Sequence, residues 1–217
     1  YQTSSYFTVY GALNTLGTVS EPVIFRGMDD DPSSWCGLKI YQPDAVCNLT
    51  YTIIRNAGLD ETYSYPDEFC SIYVYAGTVN LNDCTISLGS FNLIKQEGNG
   101  TLNLTRCQIY GGSNGIVHNN GNLSLNNCEI SGCSNNGIYH NGGNINFGSN
   151  SQQWNKLYNS TLNFYNNTAT EINAPYCWWG SVDSEMIDNY IWDNEEGAGQ
   201  VNFEPWFDSS CQILYYY

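Results

Sequence analysis

Leu81-Asn82-Asp83-Cys84-Thr85-Ile86, Leu104-Thr105-Arg106-Cys107-Gln108-Ile109 and Leu125-Asn126-Asn127-Cys128-Glu129-Ile130 share one pattern, with Leu, Cys and Ile at fixed places. Leu49-Thr50-Tyr51-Thr52-Ile53-Ile54 is an earlier, degenerate copy with Thr52 at the Cys position. A second segment recurs in step: Ile72 to Gly77, Leu93 to Gly98, Ile116 to Gly121 and Ile138 to Gly143. Each opens on an aliphatic residue and reaches glycine five positions on. The period is about 22 residues, within the range of solenoids and too short for a propeller blade. Gly, Asn and β-branched residues in period-two alternation exclude helical repeats, and the leucine-rich pattern is absent. The remaining architecture is all-β: a right-handed parallel β-helix with two or three short strands per coil, Gly/Asn/Ser corners, and each strand paired to its counterpart one turn along. With strands about 4.8 Å apart, seven or eight coils make a rod roughly 35–40 Å long.

Stacking assigns roles to the side chains, because every residue sits above its equivalent. Ile72, Leu93, Ile116 and Ile138 are expected to fill one interior column. Asn at the corners can form amide ladders. Cys84, Cys107 and Cys128 are expected to form an inward ladder of small hydrophobes. Their parallel Cβ vectors suit a disulfide poorly, so free packed thiols are expected there. The remaining cysteines are Cys36, Cys47, Cys70, Cys133, Cys177 and Cys211, and disulfides among them stay open. The total of nine is odd and leaves at least one outside any intrachain pair.

Residues 1–217 read as one domain. Regularity fails at residues 27–36 and from Gly58 to Phe69, which read as loops leaving the coil. Ser184 to Ile191 reads as a short helix that Asp183 can cap, with Glu185 complementing its dipole and Met186, Ile187, Tyr190 and Ile191 forming an apolar face. Residues 181–207, together with the Trp residues around them, are expected to cap the C-terminal end of the core. Tyr1–Tyr10 and Cys211–Tyr217 are uncharged and β-prone. They suit β-augmentation between copies and hence a filament, or serve as linker strands (residues 1–10 and 208–217) to adjoining domains, or fold back on the coil. The chain begins without a methionine or a leader-like segment and reads as a piece of a longer precursor.

Only 12% of residues are charged, with six Lys and Arg and a net charge of −15. Nucleic acid and anionic membrane surfaces, both of which demand cationic residues, are excluded as partners on this reading. No apolar run approaches the ~20 residues of a membrane span. The acidity serves solubility, or a cation: Asp29, Asp30 and Asp31 are candidate calcium ligands, as are Asp193, Glu195 and Glu196. No other cofactor is expected. Sequons at Asn48, Asn99, Asn103, Asn122, Asn159 and Asn166 permit N-glycans. His118 and His140 each follow an inward aliphatic by two residues in consecutive coils. They are expected to stack about 5 Å apart, partly exposed, in a column with Val74 and Lys95. Two imidazoles without a third ligand form an incomplete zinc set.

Trp178-Trp179-Gly180, a short acidic helix, and then Gly199-Gln200-Val201-Asn202-Phe203-Glu204-Pro205-Trp206 resemble the end of right-handed β-helix repeat domains of the pectin-lyase-like superfamily, found in surface and secreted proteins. Gly11-Ala12-Leu13-Asn14-Thr15-Leu16-Gly17-Thr18 with Pro22-Val23-Ile24-Phe25, and Tyr51-Thr52-Ile53-Ile54-Arg55-Asn56-Ala57-Gly58, resemble its early coils. The likeness spans most of residues 7–207 and implies the fold and an extracellular or cell-surface setting. Enzymes of this group place carboxylates with Arg or Lys on one face, as in the calcium-binding Asp set of pectate lyases or the Gly-His-Gly and Arg-x-Lys strings of polygalacturonases. None of those strings occurs here. Asp83, Glu97 and Glu129 are scattered, and acid–base work needs two carboxylates held across a bond. The expectation is therefore a non-catalytic structural or display module, assembling end to end into a glycosylated filament. The alternative is a polysaccharide lyase or hydrolase, or a carbohydrate-binding module whose exposed Tyr and Trp stack on sugar rings.

Overall fold

A computed structural model describes residues 5–32, 34–58, 69–193 and 199–211. Three parallel sheets run the length of the molecule, and every third strand falls in the same sheet. Sheet A holds β1 (Phe7–Val9), β4 (Leu38–Ile40), β7 (Cys70–Val74), β10 (Asn92–Gln96), β13 (Asn114–His118), β16 (Asn136–His140), β19 (Leu162–Asn166) and β22 (Ile191–Trp192). Sheet B holds β2 (Ala12–Leu16), β5 (Val46–Thr50), β8 (Thr78–Asn82), β11 (Thr101–Thr105), β14 (Asn122–Asn126) and β17 (Asn144–Asn146). Sheet C holds β3 (Val23–Arg26), β6 (Thr52–Arg55), β9 (Thr85–Ser87), β12 (Gln108–Tyr110), β15 (Glu129–Ser131), β18 (Asn155–Tyr158) and β21 (Cys177–Trp178). The chain is a right-handed parallel β-helix of three strands per coil. A two-stranded pair, β20 (Ile172–Asn173) with β23 (Val201–Asn202), lies near the C-terminal end.

Each sheet contributes aliphatic columns to one continuous core. Sheet B supplies Leu49, Leu81, Leu104 and Leu125, and sheet C supplies Ile54, Ile86, Ile109, Ile130 and Leu157, all buried. Sheet A supplies Leu38, Ile72, Ile94, Ile116, Ile138, Phe164 and Ile191. Leu93, expected in that column, lies one residue before it. The cause is a one-residue insertion at the next corner: four residues separate Gln96 from Thr101, where three separate Val74 from Thr78 and His118 from Asn122. Aligning on Gly98 therefore shifts the count by one, and a one-residue slip in a strand exchanges its two faces. Leu93 is nonetheless buried in the core.

The corners are built from single residues in the left-handed region, repeated coil after coil. Between sheets B and C these are Tyr51 (φ 45°), Asp83 (54°), Arg106 (52°) and Asn127 (56°). Between C and A they are Asn56 (58°), Leu88 (56°), Gly111 (76°), Gly132 (62°), Asn159 (57°) and Gly180 (91°). Non-glycine residues in this region cost roughly 1–2 kcal/mol each. The stack holds them there because each corner must repeat the path of the coil beneath it.

The short helix α1 spans Ser184–Asp188, and the Asp183 side chain accepts hydrogen bonds from the backbone N–H groups of Glu185 and Met186. It is shorter than the sequence suggests. Ile187 is buried, whereas Met186 faces solvent and Ile191 belongs to β22. Trp179, Trp206 and Phe207 are buried beside it and close this end of the core. Among the described residues no helix is long and apolar enough to cross a membrane.

Candidate functional site

One interior column of sheet A changes character along the rod. It runs Val9, Ile40, Val74, Gln96, His118, His140 and Asn166. The four polar members are all buried, the two imidazoles at 0% and 1% exposure. This corrects the expectation of partly exposed rings in a column with Lys95. The insertion that displaces Leu93 also moves Lys95 to the neighbouring column, where its ammonium meets Glu97 at 2.8 Å, and puts Gln96 in its place.

The rings of His118 and His140 stack with centroids 5.0 Å apart, and their Nδ1 atoms lie 2.9 Å from each other. One Nδ1 must carry a proton and the other must accept it. His118 Nε2 is buried with no hydrogen-bond partner. The two Nδ1 atoms share that one proton. Burial pushes both imidazoles down to about 4; the nearby His118 ring further disfavours a charge on His140, while the backbone of Gly121 and Asn120 partly offsets the effect of burial on His118. Above and below, Gln96 Nε2 donates to the carbonyls of Gly100 (2.7 Å) and Asn122 (3.1 Å). Asn166 Nδ2 donates to those of Thr170 (3.0 Å) and Gly199 (2.6 Å). The column thus satisfies corner carbonyls from inside the coil. Two imidazoles supply only part of a zinc set, and among the described residues no three His, Cys, Asp or Glu side chains gather to hold a metal.

The thiol column follows the same logic. All nine cysteines are free, and Cys84, Cys107 and Cys128 are buried in the core. Cys84 Sγ donates to the carbonyls of Leu49 and Asn82, each at 3.3 Å, and Cys107 Sγ to those of Leu81 and Thr105, each at 3.4 Å. Cys107, with a thiol above and below it, is held well above the ordinary thiol range by those neighbours and by burial.

The acids of the central coils are likewise engaged with the coil beside them. Asp83 takes a bidentate pair from Arg106 at 2.7 Å and 2.7 Å. Glu97 accepts from Asn119 Nδ2 (3.0 Å) as well as pairing with Lys95. Glu129 accepts from the Tyr158 hydroxyl. Of the three candidate calcium ligands, Asp29, Asp30 and Asp31 are all exposed, and Asp30 is the counter-ion of Arg26 (3.3 Å) and Arg55 (3.8 Å). Asp193 is buried and accepts from the Val201 N–H, while Glu195 and Glu196 lie outside the described residues, as do Asp60, Glu61, Asp67 and Glu68.

Sheet A carries an outward aromatic ladder: Tyr139 and Tyr165 lie 5.0 Å apart, and Tyr165 stacks on Trp192 at 5.2 Å and 5°. A sugar ring binds to an aromatic face. Here Tyr165 lies between Tyr139 and Trp192, which cover its two faces. Of the other Trp residues, Trp178 is half-buried, and Trp179 and Trp206 are core.

The sequons divide by geometry. Asn48, Asn99, Asn122 and Asn159 are exposed. Asn48 and Asn103 belong to an amide ladder on sheet B, in which Asn48 donates to Asn14, Asn80 to Asn48 and Asn103 to Asn80, each at 2.8 Å. Asn166 is the interior residue described above and is 0% exposed. Its Nδ2 is enclosed in the folded coil and bonded to corner carbonyls, so a glycan there is incompatible with this packing. The signal was present in the sequence, since Asn166 stands two residues after Phe164 as His140 stands two after Ile138. Comparison with protein-family models, with curated proteins and with solved structures finds no match.

Proposed function

We propose that this chain is a non-catalytic structural or display module, an extracellular rod that extends end to end and carries N-glycans at exposed sequons. The observation that supports this is the coil-to-coil use of chemically capable side chains. Thiols, imidazoles and amides in the central coils are bonded to the coil above or below, and Asp83 and Glu129 are likewise paired with the next coil. Carboxylates engaged in this way hold the rod together rather than converging on a bond to be broken. The pectin-lyase-like resemblance of the terminal segments accords with an exported β-helix, a fold that hosts both enzymes and inert modules. Incubation with oligogalacturonides and other plant and microbial polysaccharides should give neither unsaturated nor shortened products. Turnover would overturn the structural reading in favour of a lyase or hydrolase. Peptide mapping of the exported protein should find glycan at Asn99, Asn122 or Asn159 and none at Asn166.

A further inference from the structure

The sequon asparagines differ in which atom of the amide the fold already uses. Asn48 and Asn103 donate through Nδ2 to the ladder on sheet B, and Asn166 donates through Nδ2 to corner carbonyls. Asn99 is engaged through Oδ1, which accepts from Asn120 Nδ2 at 3.1 Å, and its own Nδ2 donates to nothing among the described residues. Glycosylation of a sequon substitutes Nδ2 and leaves Oδ1 an acceptor, so a sugar at Asn99 keeps the bond between coils. Asn99 stands in the corner that carries the extra residue, residues 97–100 between β10 and β11. It lines an open groove of about 590 Å³ together with Pro43, Tyr75, Gly77, Gly98 and Asn120. Gly77 and Gly98 present backbone alone, and a Cβ on Gly98 would come within 3.3 Å of the Tyr75 ring. Tyr75 is 51% exposed. Glu97 is the charged residue of the lining, and its carboxylate is already held by Lys95 Nζ (2.8 Å) and Asn119 Nδ2 (3.0 Å). The groove thus combines an exposed aromatic ring, a hydrogen-bonding amide and a neutralised charge.

We infer that the first sugar of an N-glycan on Asn99 docks in this groove, with one face on the Tyr75 ring. The inference rests on the reading of this chain as an exported, glycan-bearing rod. Transfer forms the bond from Nδ2 to the anomeric carbon of the sugar. It breaks the bond from that carbon to the diphosphate of a lipid-linked donor, and the Nδ2 proton leaves with the diphosphate. The occupant follows from charge, chemistry and attachment. An N-acetylhexosamine is neutral, as the groove requires. Its C–H face suits an aromatic ring, and its hydroxyl and acetamide groups suit the Asn120 amide. Attachment decides between a tethered sugar and a free one. Sites for free ligands bury most of the ligand surface, which one half-exposed ring and one amide do not achieve. A sugar bonded to the rim of the groove instead meets the ring at an effective concentration on the order of millimolar, so a shallow contact suffices. Asn122 makes the contrast. It too is engaged through Oδ1, by Asn144 at 3.0 Å, but its neighbours in register are Thr101 and Asn144, neither of them aromatic.

The test secretes the chain from a eukaryotic host that adds N-glycans, then trims each glycan to its first N-acetylglucosamine with an endoglycosidase. Peptide mapping reads occupancy of Asn99. NMR reads the remaining sugars, and Asn99→Gln assigns the signals of the Asn99 sugar by their loss. Those signals should be shifted upfield by the Tyr75 ring and should show through-space contacts to it. The shift should persist in Tyr75→Phe and vanish in Tyr75→Ser, with circular dichroism confirming that each variant retains its β-structure. An unoccupied Asn99, a sugar without contacts to the Tyr75 ring in the unaltered chain, or a shift that Tyr75→Ser leaves in place would each overturn the inference. Any of these leaves the non-catalytic reading standing, while polysaccharide turnover would sink that reading without touching the position of the sugar.

Discussion

At the scale of single residues, the imidazole pair makes the most specific statement. His118 and His140 are each held down to about 4 by burial, against an unfolded value near 6.5. The fold therefore binds fewer protons than the unfolded chain between those values. Stability contributed by the neutral pair is fully present above about pH 6.5, falls as pH drops through that window, and levels off below about 4. The loss across it is on the order of a few kcal/mol for the pair. Urea melts at stepped pH should show this slope, and His118→Leu combined with His140→Leu should flatten it. A slope unchanged in the double variant would place the acid sensitivity elsewhere. The sequence reveals that these two histidines stack, because Ile116 and Ile138 fix their strands. It conceals their burial, because Lys95 in the miscounted column made the site look wet. The physical source is the adjacent pair Leu93-Ile94: two consecutive aliphatics leave the parity of a strand undetermined, and an extra corner residue then removes the only other marker.

At the scale of elements, the ladders and corners can be weighed separately. Asn80 accepts from Asn103 and donates to Asn48, so Asn80→Ala breaks two coil-to-coil hydrogen bonds on a half-exposed face. At about 0.5–1.5 kcal/mol net for each bond, the expected loss is about 1–3 kcal/mol in chemical denaturation. The corners give a complementary pair of substitutions. Gly132 has φ 62°, and a Cβ there would meet nothing within 4 Å. Gly132→Ala therefore isolates the backbone penalty and should cost about 1 kcal/mol. Leu88 occupies the same corner two coils earlier at φ 56° and is 45% exposed. Leu88→Gly should recover about 0.5–1 kcal/mol. Destabilisation by Leu88→Gly would mean that its contacts outweigh the strain. The strands were legible because aliphatic residues must recur in each coil. Corners at Tyr51, Leu88 and Arg106 were not, since no residue preference marks a left-handed Tyr, Leu or Arg. Only the stacking of each corner on its neighbour imposes it.

For the whole molecule, a β-helix is nearly one-dimensional: each coil touches only the coils beside it, and stability propagates by neighbour contacts. Local opening then starts where a coil has one neighbour and no cap. The two ends differ in this respect, since Trp179, Trp206 and Phe207 are buried at one, whereas at the other Phe7 is exposed and Leu13 and Phe25 are only half-buried. The cysteines report on this directly, because eight are buried and they are spread along the rod. Burial pushes the Cys47 thiol up to about 11 and raises that of Cys177 further. Neither reacts as a thiolate until its coil opens. In pulsed alkylation of the monomeric chain under mild denaturant, Cys36 and Cys47 should be labelled before Cys84, Cys107 and Cys128, with Cys177 last. Cys211, the least buried of the nine, should react from the start. A single shared rate for all eight buried thiols would show that the coils are coupled strongly enough to open together.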